Sequence, residues 1–397
     1  MSEANGTEDN KPDEQPAEAS KQASHEAYET VAGSARWVAA PEVAYRPRRP
    51  AGYRPRIGLI GCGGITSHHL GVYRSAGYDV VALCDVNEER AQNRRNEFFP
   101  EAQVYTSSDA LLARADVEVV DIATHPPERL PLIRAAIEAG KHVLSQKPFV
   151  LDLDEGQKLV DLADAKGVKL AVNQNGRWAP HVSWMRNAIA AGHVGTVTTA
   201  DATVAWSHNW VAGSPFDTIQ HLMLYDFAIH WFDMVHCYMP NLRPKRVYAS
   251  ALHSAQQVAR PPLLAHAVIE FDGGQATLSF RGDTKVGSQD RTLIVGDKGL
   301  LLAAGADLGS QSLSLFTEAG EARPELVGKW FDDGFDGTMG ELLCAIEEDR
   351  EPTNSARDNL KSLELCFAAL HSADTGQPVD VGSARKASPG AATGSVR

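Results

Sequence analysis

Three features predict an α/β chain with a doubly wound parallel sheet, followed by an α+β domain with an open, mainly antiparallel sheet. The first is an apolar run, Arg56 to Ile60, that ends in Gly61-Cys62-Gly63-Gly64-Ile65 and passes into a helix start at Ser67-His68-His69-Leu70. The second is the alternation of strand and helix patterns from residue 56 to about 174. The third is a change of character beyond residue 175. There, alternating segments are joined by Asp272-Gly273-Gly274 and by Gly296-Asp297-Lys298-Gly299, both good hairpin signals.

The bulk properties agree with two domains. At 397 residues the chain is long for one hydrophobic core. Its 43% hydrophobic and 22% charged residues are those of an ordinary globular protein. A net charge of −13 argues against nucleic acid as the main partner, because phosphate binding needs a basic surface. Cys62, Cys84, Cys237, Cys344 and Cys366 have neither paired nor CxxC spacing, which fits a reducing compartment and offers no thiolate metal site. No apolar run approaches the roughly 18 residues of a membrane span, and no signal-peptide core follows the N-terminus. The cytoplasm is the expected location.

Taken in order, residues 1–35 are acidic, polar and nearly free of large apolar groups, so they are expected to be disordered. Arg36 to Arg56 is basic and proline-rich. It reads either as a solvated tether or as an arm that grips a partner. Residues 1–50 thus form a tail and arm, and residues 51–174 a nucleotide-binding domain. In that domain Val80 to Cys84 is a second strand, Asn87 opens a polar helix, and Val117 to Thr124 is a buried-type strand ending at His125-Pro126-Pro127. A helix from Leu130 to Ala139 stops at Gly140, His142 to Ser145 is the next strand, and Asp154 to Lys166 the next helix. Residues 175–382 carry the strands Val197 to Trp206, His266 to Phe271, Gln275 to Phe280, Arg291 to Val295, Leu300 to Ala303 and Ser312 to Phe316. Helical patterns return at Gly337 to Glu348 and Asn354 to Ala373, and residues 383–397 read as a flexible tail.

The glycine cluster has the order a dinucleotide pyrophosphate needs. Gly61 permits the tight turn, Gly63 the close approach of backbone to phosphate, and the first helical N–H groups of the Gly61–Ile65 loop face the negative charge. Asp85, at the end of the second strand, is spaced to meet the adenosine ribose hydroxyls. It favours NAD, while Arg90 keeps NADP open. Ligands of such sheets lie beyond the carboxyl ends of the strands, which places Thr124, His125, Gln146 and Lys147 near the nicotinamide.

Lys147 at a strand exit reads either as a surface lysine or as an ammonium that steadies a developing alkoxide. Asp226 and His230, four apart in a helical pattern, read as a carboxylate-poised proton acceptor, a helix ion pair with a structural histidine, or, with His221 and His236 nearby, part of a metal site. No tight ligand cluster is present, so no metal is expected. Asn175, Arg177, Trp178, Trp206 and Asn209 mix indoles with hydrogen-bonding groups, which suits either a polyol or core packing.

Several separated motifs together resemble the family of glucose-fructose oxidoreductase, inositol dehydrogenase and the rhizopine-catabolism oxidoreductase. They are residues 56–66, the segment Ala139 to Pro148 (AGKHVLSQKP), the segment Asp226 to Asp233 (DFAIHWFD), and the C-terminal stretches around Phe335 and Ser372. The likeness spans roughly residues 55–382. It implies an NAD(P)-dependent Rossmann domain followed by an open-faced sheet domain that often forms homodimers or homotetramers. It also implies a sugar or polyol substrate, His230 as proton acceptor, Lys147 binding the substrate oxygen, and Asp226 holding the histidine or a neighbouring hydroxyl. In some relatives an N-terminal arm wraps a neighbouring subunit or cofactor. Three positions depart from the pattern: Gln146 replaces the usual glutamate, Ala228 the usual glycine, and Thr124-His125-Pro126 the usual Thr-Pro-Asn.

The expectation is therefore an NAD(P)-dependent oxidoreductase acting on a secondary alcohol. Its rivals are a non-catalytic nucleotide-binding regulator of the same fold and a glycoside-cleaving enzyme that works by transient oxidation.

Overall fold

The computed structural model describes residues 36–391, so the segment read as disordered, residues 1–35, lies outside it. The first domain is built from β1 (Arg56–Ile60), α1 (Thr66–Ala76), β2 (Asp79–Cys84), α2 (Glu88–Phe98), β3 (Gln103–Tyr105), α3 (Ser108–Leu112), β4 (Val117–Ile122), α4 (Pro126–Glu138), β5 (His142–Gln146), α5 (Leu153–Lys166) and β6 (Leu170–Asn173). All its strand pairs are parallel, in the order β3-β2-β1-β4-β5-β6. The chain reverses direction across the sheet between β1 and β4, and the crevice at that reversal is where such sheets take a ligand.

Local chemistry sets the helix ends. Asn87 caps α2 by accepting the Arg90 N–H, and Asp152 caps α5 by accepting the Asp154 and Glu155 N–H groups. Helix α1 ends at Gly77 and α5 at Gly167, both left-handed. Helix α4 begins at Pro126, four residues before the expected Leu130, because Pro126 and Pro127 occupy first-turn positions where a missing N–H costs nothing.

The second domain contributes α6 (Pro180–Ala190), β7 (Val197–Ala205), α7 (Ile229–Tyr238), β8 (Pro244–Leu252), β9 (Leu264–Phe271), β10 (Gly274–Arg281), β11 (Gln289–Gly296), β12 (Gly299–Asp307), β13 (Ser310–Thr317), β14 (Gly320–Ala322), α8 (Trp330–Glu347), α9 (Ala356–Thr375) and β15 (Val379–Asp380). Its nine strands run β14-β13-β12-β11-β7-β10-β9-β8-β15, antiparallel except for the central β7/β10 pair. Side chains alternate along the strands. In β9, Ala265, Ala267, Ile269 and Phe271 are buried while His266, Val268 and Glu270 are exposed. Helices therefore cover one face and leave the other open.

Both flanking segments depart from the expectation of loose chain. The arm runs along α8 from its first turn to its last. Arg46 pairs with Asp333 at 3.0 Å and Arg49 with Asp336 at 2.9 Å, and Gly340 leaves room for the Arg48 carbonyl. The N–H groups of Ala51, Gly52 and Tyr53 close on the Glu347 carboxylate at 2.6–2.8 Å. A basic segment beside an acidic helix is held by charge, so the tether reading gives way to an arm docked on its own chain. At the other end, residues 383–391 are tied by backbone hydrogen bonds from Leu153 to Arg385, from Ala387 to Leu151 and from Gln220 to Gly390. Small buried groups there, Ala384, Ser388 and Ala391, pack without needing a large apolar pattern. Positions 392–397 lie outside the described residues.

Candidate active site

The glycine loop leaves β1 with Gly61 at φ +94°, and its N–H donates to the Cys84 carbonyl at 2.8 Å. A Cβ at Gly61 would stand 2.9 Å from the Ala123 carbonyl carbon, whereas at Gly63 or Gly64 it would meet nothing within 4 Å. One glycine serves the fold, and two leave open space before the first turn of α1. The Asp85 carboxylate accepts the Cys62 N–H at 2.7 Å and the Asn87 N–H at 2.8 Å. Each oxygen retains a lone pair for a ribose hydroxyl. Ile65 opens α1, and buried Thr124 Oγ1 has no protein partner. These features fit NAD. Arg90 is exposed, and it is Arg94 that reaches the loop, donating to the Gly63 carbonyl at 3.2 Å.

Two paired substitutions separate these roles. Gly61→Ala is expected to lower stability by about 1–3 kcal/mol through left-handed strain and the clash with Ala123, read as the midpoint of denaturant unfolding. Gly63→Ala should leave that midpoint unchanged and weaken NADH binding by about tenfold or more, read by fluorescence titration. Equal stability losses in both variants would refute the division.

At the exit of β5, Lys147 Nζ donates to the Asp226 carbonyl at 2.7 Å and lies 3.3 Å from its Oδ1. The expected carboxylate–imidazole pairing is thus replaced by a carboxylate–ammonium one. The reason is backbone geometry: residues 222–227 form a single π-helical turn that closes at Ala228 before α7 begins, so Asp226 and His230 do not share an α-helical face. His230 is only 6% exposed and its Nδ1 has no protein partner. Burial first, then the Lys147 charge, hold its pKa well below the usual histidine value, so the imidazole is neutral at neutral pH.

Gln146 is turned inward. Its Oε1 accepts the Lys147 N–H at 2.7 Å, and its Nε2 lies 3.2 Å from His69 Nε2. As an amide N–H can only donate, His69 Nε2 accepts and its proton sits on Nδ1, 2.7 Å from Asp121. Gln146, expected near the nicotinamide, has its amide engaged within the protein as a buried support beneath Lys147. Arg129, which carries no recognisable motif, reinforces that support: its guanidinium donates to the Thr124 and Pro148 carbonyls, and burial pushes its pKa down to about 10. His125 is exposed, and its ring meets Phe216 of the second domain at 6.3 Å, at a cleft that Pro126, Ile219 and Asp226 also line.

An aromatic wall surrounds His230. The Trp330 ring stands 5.6 Å away and perpendicular to it, Trp206 lies 6.3 Å from Trp330, and His208 stacks on Trp206 at 6.4 Å. Buried Trp206 Nε1, Trp330 Nε1, His208 Nδ1 and Asn175 Oδ1 all lack protein partners. Trp206 is linked to His230 through the rings of Trp330 and Trp231, and Asn175 keeps an unspent acceptor. The other three expected substrate contacts are taken up by the fold. Arg177, 2% exposed, grips Asp233 with two 2.6 Å bonds and Asp358 with one of 2.9 Å, so its guanidinium is committed to the fold. Trp178 is packed against Gly337, and Asn209 Oδ1 accepts the Val258 N–H at 2.7 Å. Their residue types suit a sugar site, but the Arg177 guanidinium and the Asn209 amide oxygen are already used and the Trp178 ring is packed in the fold. Among the described residues no cluster of side chains could hold a metal ion, and no helix is long and apolar enough to cross a membrane.

Comparisons with known proteins agree with this fold. Residues 55–174 match the oxidoreductase family with an NAD-binding Rossmann fold, GFO_IDH_MocA, and residues 182–302 match the GFO/IDH/MocA C-terminal domain. The chain is 26% identical to D-apiose dehydrogenase of Paraburkholderia graminis over 83% of its own length and 91% of that protein. It is 27% identical to inositol 2-dehydrogenase of Rhizobium meliloti over 80% and 96%. An oxidoreductase from Agrobacterium radiobacter, crystallised with NAD+, L-tartaric acid and magnesium, shares the fold with a TM-score of 0.75 at 20% identity, covering 83% of this chain and 99% of that one.

Proposed function

The chain belongs to the GFO/IDH/MocA family of NAD-dependent oxidoreductases, and from that premise we propose that it acts on a secondary alcohol of a sugar, inositol or sugar derivative. The observation that carries this reading is the neutral, buried His230 beside the Lys147 ammonium, under an aromatic wall with unspent polar atoms. Bound NAD supplies the hydride acceptor at its nicotinamide ring. The Gly61–Ile65 loop and Asp85 hold the nucleotide, and Thr124 reaches it from the end of β4. In the oxidation direction His230 takes the hydroxyl proton, and Lys147 stabilises the oxygen as negative charge builds on it. Asp226 holds the ammonium in place, so no rotamer search precedes the reaction. Indole faces pack on the carbon–hydrogen face of a polyol while N–H groups receive its hydroxyls.

The test is purified protein with NAD+ against a panel of sugars, inositols and sugar acids, read by nicotinamide absorbance. Turnover with at least one member is expected, and no change with any member overturns the substrate class. The uncovered face of the nine-stranded sheet, with Tyr248 and Val268 exposed, supports the expected homo-oligomer. A monomer in sedimentation equilibrium would remove that expectation.

A further inference from the structure

The corner that delivers Trp330 is held only in part by its own sequence. Helix α8 has Lys329 at its N-cap, a residue with no side-chain acceptor to close the first turn. The arm holds the residues just before that turn. Tyr45 Oη accepts the Val327 N–H at 3.0 Å, and Arg46 donates to the Val327 carbonyl. Arg46 also pairs with Asp333, which in turn accepts the Lys329 N–H at 2.9 Å. Only glycine fits in the middle of this clamp. A Cβ at Gly328 would lie 1.8 Å from Asp333 Oδ2 and 2.2 Å from Arg46 Nη1, at a φ of +116°. The next residues out of the corner are Trp330, beside His230, and Phe331, whose ring meets His68 of α1 at 4.8 Å. A segment remote in sequence thus determines where an indole with an unpartnered N–H stands next to the proposed proton acceptor.

We propose that the arm is a positioning element of the substrate pocket. Tyr45 and Arg46 hold the 327–333 corner so that Trp330 stands beside His230 and its N–H donates to a substrate hydroxyl. This rests on the sugar-oxidising reading above and adds a contact and its support to it. An arm that merely stiffened the fold would change stability and leave substrate affinity alone.

Three variants test it: Trp330→Phe, which keeps a ring and loses the N–H, Arg46→Ala, and the double variant. Trp330→Phe is expected to raise KM for the sugar about tenfold with kcat within about twofold, the signature of lost uniform binding. Arg46→Ala should raise KM several-fold in the same way, and the double variant should be no worse than Trp330→Phe, because the two changes remove one contact. Affinity for NADH should stay at the wild-type value throughout. A wild-type KM in Arg46→Ala, multiplying effects in the double variant, or NADH affinity falling in step with KM would each overturn the proposal. If Arg46→Ala does not fold, Tyr45→Phe, which loses one hydroxyl, carries the same expectations. If the wild type oxidises no sugar, the functional reading fails, yet the indole N–H resonance of Trp330, assigned by its loss in Trp330→Phe, still reports on the clamp. A shift in Arg46→Ala upholds the positioning, and an unmoved signal refutes it.

Discussion

Replacing His230 with glutamine is expected to lower kcat for alcohol oxidation by about 10²–10⁴-fold, the usual worth of a positioned general base. NADH affinity should not change. The amide keeps much of the ring's volume but cannot accept a proton at neutral pH. The wild-type pH profile follows from the same group. Burial and the Lys147 charge depress the His230 pKa well below its ordinary value, so the base form persists as the pH falls through 6.5. The kcat/KM profile should stay flat there and decline only at lower pH. A kcat within tenfold of wild type for His230→Gln would show that another group takes the proton.

Lys147→Met is expected to cost about 10²–10³-fold in kcat, comparable with removing one oxyanion donor. It also changes the pH profile in a direction that can be stated in advance. The ammonium disfavours a second positive charge on His230, so its loss raises the histidine pKa and moves the acid limb of kcat/KM to higher pH. The limb remains below the ordinary histidine range, because burial, the larger cause, is untouched. An acid limb unmoved or displaced downward would mean that Lys147 and His230 do not sense each other. Asp226 is left without its cation in this variant, but it is partly exposed and water can satisfy it. The activity loss should therefore exceed any loss of stability.

Much of the architecture was legible in the chain itself. The strand–glycine–helix order at residues 56–66 and the hairpin at 272–274 are local signals, and the structure places elements at both. Helix α6 and strand β8 were not legible. Pro180–Ala190 is buried along most of its length, and Pro244–Leu252 lies near a sheet edge with a broken inward–outward alternation, so neither shows a clean period. The site divides in the same manner. Lys147 lies at the exit of β5 and His230 is buried in α7, but the partner of Asp226 was misread because a π-helical turn cannot be told from an α-turn by spacing. Arg177 and Asn209 have the composition of a sugar site and serve the fold instead. Trp330 and Arg129 carry no pattern of their own and entered only through what surrounds them.

Taken alone, the sequence determined the order of the elements and the chemical kinds of residue at the strand ends, because backbone propensity, glycine turns and hydrophobic period act over a few residues. Only the tertiary structure decided which polar groups are spent and which remain free. Asp333 and Arg46 lie far apart in the chain, as do Arg177 and Asp358, and whether a guanidinium faces a substrate or a carboxylate depends on which segments fold against each other. Hydrogen-bonding capacity is a property of a residue, but its availability is a property of its neighbours.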